Sequence, residues 1–150
     1  MKQLMRSALI VAGAVALAGA RTPAAPNPLQ VVIANGPFAG TYDARGAETI
    51  CLHAKAQKMF AASFKDFNAH GAKAFAEGGI KVDNPDAAGK KFGDLHAAFG
   101  VDPNSVQYDV YNVPITMTPK GKGADLAGAG KTKDGIQMRV TASCQDLETM

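Results

Sequence analysis

From Ile136 to Cys144 the chain alternates with a period of two. Ile136, Met138, Val140, Ala142 and Cys144 form one set, and Gln137, Arg139, Thr141 and Ser143 stand between them. Successive side chains of a strand point to opposite sides of a sheet, so this run specifies a strand with one buried and one wet face. Cys144 falls on the buried face. The only other thiol is Cys51, and an even cysteine count in an exported chain reads as a disulfide. A Cys51–Cys144 bond closes a loop of 144 − 51 = 93 residues.

Export is itself read from the first residues. Lys2 and Arg6 precede an uncharged, mostly aliphatic run from Ser7 to Ala20 that ends Ala18-Gly19-Ala20, the pattern of a secretory signal peptide over residues 1–20. The run is too short to cross a bilayer, which takes ~20 consecutive apolar residues. Ala20 stands where a lipid-attachment motif would need cysteine, so acylation there is excluded. The expected mature chain is a flexible, Pro/Ala-rich lead-in over residues 21–28 followed by a single globular domain over 29–150, in the periplasm or secreted. The chain's net charge of +3 shrinks on cleavage: 16 − 2 = 14 basic against 13 acidic residues leaves +1. That is poor support for nucleic-acid binding. With 47% hydrophobic and 19% charged residues, the balance is that of a globular domain rather than a disordered tail.

The remaining segments give a mixed reading. Residues 29–34 are short and β-branched and run into Asn35-Gly36-Pro37, which predicts a strand and a turn. Over 52–67, Leu52, Ala56, Met59, Phe60, Ser63, Phe64 and Phe67 gather on one side at 100° per residue, with Lys55, Lys58 and Lys65 opposite; this predicts a long amphipathic helix starting near residue 47. Extended back to 47, that helix puts Cys51 on its lysine side, in conflict with a buried bridge. Residues 72–79 fit strand or helix. Asp86 as a cap, with Phe92, Leu95 and Phe99 at helical spacing, predicts a second, shorter helix over 87–99. Val106, Tyr108 and Val110 alternate, and the parity then shifts to Tyr111, Val113 and Ile115, which predicts a strand over 105–118 with a β-bulge near Tyr111. Residues 119–134, rich in glycine and lysine, read as a long hairpin loop. The fold class expected is α+β: a small, mainly antiparallel sheet with the long helix packed across one face. A β-rich alternative turns residues 38–53 into two further strands.

Few motifs carry chemistry. Gly128-Ala129-Gly130-Lys131-Thr132 resembles the end of a phosphate-binding loop, but Asp125 occupies the position of the required first glycine and no helix signal follows. Cys51, His53 and Met59 lack the second histidine of a copper site. The serine-hydrolase elbow and the zinc spacing H-E-x-x-H are absent, and Asp83-Asn84-Pro85-Asp86 lacks EF-hand spacing. No cofactor, no metal and no catalytic residue is expected. Lys120, Lys122, Lys131 and Lys133, against Asp125 and Asp134, give the 119–134 segment a charge of +2 and make it a candidate contact for an anionic envelope polymer or an acidic protein. His53, His96, Tyr108 and Tyr111 are the residues that would have to converge if the domain enclosed a small apolar ligand or a hydrolytic site. The expectation is a non-catalytic exported protein of the bacterial envelope acting by contact or by structural placement, with the pocket-bearing protein as the alternative.

Overall fold

The computed structural model describes residues 27–44, 49–145 and 148–149, the last two by backbone alone. The expected signal segment over 1–20, most of the expected lead-in and the expected helix start near residue 47 lie outside them. The described residues contain no helix; nine antiparallel strands form a nearly closed barrel. The strands are β1 (Leu29–Ile33), β2 (Gly40–Ala44), β3 (Thr49–Ala54), β4 (Met59–Lys65), β5 (Phe75–Asp83), β6 (Lys91–Phe99), β7 (Val106–Lys120), β8 (Gly123–Lys131) and β9 (Gln137–Cys144), with a two-residue β10 (Glu148–Thr149). Strands β3 to β9 follow one another as an up-and-down meander. β1 then pairs with β9 and β2 with β1, which brings the β2 edge round toward β3, where β10 pairs in parallel.

The α+β expectation is therefore overturned, and each helix it contained is strand. The long helix is the β3–β4 hairpin, turning through Lys55–Lys58 with Lys58 in the left-handed region at φ 51°. Phe60, Ala62 and Phe64 face inward from β4, while Phe67, placed on the helix's apolar side by its spacing, is 77% exposed. The two periods coincide at Phe60 and Phe64; only tertiary pairing separates them. The second helix is β6, whose Leu95, Ala97 and Phe99 point inward. Gly93, a weak point for a helix, is required here, because a Cβ on it would lie 1.7 Å from the Lys81 carbonyl oxygen on β5. Residues 72–79 resolve as the approach to β5 and its first half. The β-rich alternative did place strands in residues 38–53, where β2 and β3 lie.

Other expectations hold in the fold. β1 and β9 occupy the predicted segments, and Met138, Val140, Ala142 and Cys144 are all buried on one face. β7 carries its bulge at the predicted place: register with β6 shifts between Gly93 and Leu95, and Asn112 sits at φ 54°. The lead-in expected to be flexible over 21–28 is instead held at its described end, since the Gln145 N–H donates to Asn27 Oδ1 and the Ser143 N–H to the Pro28 carbonyl, both at 2.9 Å.

The loop expected over 119–134 is mostly strand β8. Its Ala/Gly-rich sequence is what the packing admits. A Cβ on Gly128 would meet Ile115 at 2.5 Å, Leu95 at 2.8 Å and Ile80 at 3.4 Å, side chains from three other strands. A barrel of about eight strands has an interior just wide enough for side chains to fill, and here they fill it from several sides. The outward set carries Glu77, Lys81, Asp94, His96, Asp109, Asp125 and Arg139, the reverse of the apolar exterior that a lipid-embedded barrel presents. Among the described residues no helix is long and apolar enough to cross a membrane.

Candidate functional site

Cys51 on β3 and Cys144 on β9 form a disulfide with Cα atoms 5.8 Å apart, and both residues are buried. The conflict over Cys51 disappears once its segment is a strand, because Thr49, Cys51 and Ala54 then turn inward. The bond ties β9 to the strand near the opposite edge of the sheet, holding the barrel curled across its seam.

The four lysines do not form one patch. Lys120 and Lys122 flank one end of β8 and Lys131 and Lys133 the other, about 27 Å apart at roughly 3.4 Å per residue. Lys120 Nζ lies 3.3 Å from Ser143 Oγ and 3.6 Å from Asp125 Oδ1, and the Ser143 hydroxyl donates to Asp125. The pocket set also separates. His96 and Tyr111 face outward, Tyr111 being 65% exposed, whereas Tyr108 faces inward and is 9% exposed. His53 on β3 packs its ring 5.6 Å from that of Phe60, with Nε2 buried 3.5 Å from Asp86 Oδ2 but without hydrogen-bond geometry. The sheet thus keeps His96, whose register partner is Asp109, and Tyr108, whose partner is Ala97, on opposite faces.

What the outer face does assemble is a row of charge across β4 to β7. Lys65 Nζ contacts Glu77 Oε1 at 2.5 Å, Glu77 Oε2 lies 3.5 Å from His96 Nε2, and His96 Nδ1 is 2.7 Å from Asp109 Oδ1. The Glu77 contact raises the Lys65 ammonium above its ordinary range. Beside this row, Lys81 Nζ meets Asp94 Oδ2 at 2.7 Å, and the Asn112 N–H at the bulge donates to Asp94 Oδ1. Burial pushes the Asp94 carboxyl up, but the Lys81 ammonium and that N–H outweigh it and hold it below the usual range. Each imidazole nitrogen of His96 faces a carboxylate, and the groups run in line. Among the described residues no three His, Cys, Asp or Glu side chains gather as metal ligands.

A second assembly closes one mouth of the barrel. Phe38, Tyr42, Phe64, Phe75, Phe99 and Tyr108 form a connected ring cluster, six of the chain's ten aromatic residues. Phe99 is central, with Phe38 stacked on it at 4.6 Å and Tyr42 edge-on at 4.7 Å. Burial, followed by the nearby Tyr42 and Asp134, pushes the Tyr108 phenol up from 10. No period in the sequence announces this cluster, since its rings come from segments as far apart as residues 38 and 108.

Comparison with family models, with curated proteins and with solved structures finds no match for this chain.

Proposed function

We propose that this is a small exported, non-catalytic protein of the bacterial envelope that works through its outer surface, by contact with a macromolecular partner or by structural placement. The observation that carries this reading is the filled interior: Ile80, Leu95 and Ile115 crowd over Gly128, and rings plug a mouth, so the chemistry on offer lies outside. There Lys65, Glu77, His96, Asp109, Lys81 and Asp94 form paired, partly exposed rows suited to recognition by charge and hydrogen bonding. The pairing of both thiols fits an oxidising compartment.

The test is to express the full chain in a Gram-negative host, fractionate the cells, and place a photo-crosslinker singly at outward positions Ala61, Gln107 and Ala129. The reading expects periplasmic or extracellular protein without free thiols, and cross-links concentrated at one of these positions. Cytoplasmic protein with two free thiols, or turnover of a generic ester substrate lost in His96→Ala, would reject it.

A further inference from the structure

We infer that the mouth beneath the 34–39 turn is a binding site for a small aromatic molecule carrying one hydrogen-bond acceptor, held shut by Phe38 in the ligand's place. This goes beyond the surface-contact reading, which takes the mouth as closed, and concerns the state in which the turn has withdrawn.

The strands of the wall are joined by backbone ladders, whereas the turn between β1 and β2, which carries Phe38, belongs to none of them. The mouth is covered by a turn. From Ala34 to Thr41 every residue is exposed except Phe38, so withdrawing the turn uncovers a single ring. Phe38 presents two groups to the barrel. Its ring stacks on Phe99 at 4.6 Å with 26° between planes and meets Tyr108 edge-on at 5.9 Å. Its carbonyl oxygen accepts the Tyr42 hydroxyl at 2.8 Å. Moving Phe38 away leaves an aromatic wall of Phe99, Phe75 and Tyr108, with the phenol of Tyr42 released as a donor at its rim. Together these select a flat ring bearing an oxygen acceptor, the two features Phe38 itself supplies.

The turn is jointed and tethered at its base. Gly36 sits at φ +87°, a left-handed geometry natural to glycine. Asn35 clasps the neighbouring turn, its Nδ2 donating to the Gly135 carbonyl at 3.0 Å and its Oδ1 accepting the Gln137 N–H at 2.7 Å. Burial of a phenylalanine ring favours the closed state by about ten- to hundredfold, and apparent affinity falls with the open fraction.

The experiment titrates the purified, oxidised domain with acetophenone, and with ethylbenzene as the probe lacking the acceptor, following the ring signals of Phe99 and Tyr108 by NMR. Phe38→Ala should bind acetophenone about ten- to hundredfold more tightly than the wild type. Asn35→Ala, which loosens the base and leaves every ring in place, should bind severalfold more tightly. Tyr42→Phe added to Phe38→Ala should abolish the preference for acetophenone over ethylbenzene. If both single variants fold and neither binds acetophenone more tightly than the wild type, the inference is overturned; should Phe38→Ala unfold, Asn35→Ala decides alone. Equal affinity of Phe38→Ala for the two probes overturns the acceptor in the ligand's description.

Discussion

Replacing both bridging cysteines, Cys51→Ala with Cys144→Ala, tests what holds the barrel curled. The chain-entropy treatment assigns a closed loop of 93 residues an unfolded-state entropy loss worth about 4.6 kcal/mol at 25 °C. Both side chains are buried to 1% exposure or less, so the truncations remove some packing as well and the figure is a lower bound of the expected loss. Domains have about 5–15 kcal/mol in total, so the variant sits near the edge of stability. Urea unfolding followed by circular dichroism reads it directly: at a slope of about 2 kcal/mol per molar urea, the midpoint falls by about 2.3 M. The slope should also steepen, because an unlinked denatured chain exposes more surface than a cross-linked one. Wild-type protein unfolded in excess reductant should match the variant. A midpoint shift below about 0.5 M with unchanged slope, equivalent to about 1 kcal/mol, would refute the argument that the bridge acts by constraining the unfolded chain.

The filled interior predicts that Gly128→Ala costs about 1–3 kcal/mol in the same assay, since the new methyl collides with Ile115 and Leu95; Gly93→Ala, whose methyl meets backbone on β5, should cost more than Gly128→Ala. Asp94→Asn should destabilise by about 1 kcal/mol at neutral pH through the weakened bonds to Lys81 and the Asn112 N–H. Because the Asp94 carboxyl is depressed in the folded state, its contribution is present above the unfolded carboxylate range near 4 and is lost as pH falls through the folded value; the stability curves of wild type and variant should therefore converge in acid. For Tyr108, whose phenol is raised above 10, the unfolded chain ionises first and stability declines as pH climbs past 10. An alkaline ultraviolet titration should show a late-ionising phenol, and Tyr108→Phe should remove it.

Much of the barrel's C-terminal side was legible in the sequence. Strict alternation from 136 to 144 identified β9 and put Cys144 on its buried face, the parity change after Val110 located the bulge, and the even cysteine count together with the expectation of export argued the bridge. The candidate sites were less legible: the four lysines were read as one loop because a strand of glycine and alanine lacks β-branched residues, and the two histidines and two tyrosines offered no spacing that says which face each occupies. The outer row of Lys65, Glu77, His96 and Asp109 depends on the registers of β4 to β7, which are non-local pairings.

By itself the sequence determined local direction, where one face of a segment is apolar without exception and no second period competes. Only the tertiary structure decided the identity of residues 55–67 and 87–99, because apolar residues four apart, Phe60 with Phe64 and Leu95 with Phe99, satisfy a helix and a strand equally. It decided β8 as well, since its small residues make sense only against Ile115, Leu95 and the Cys144 carbonyl that leave room for nothing larger. It also gathered the mouth, for no local signal brings Phe38 to Phe99; ring packing across a closing sheet does.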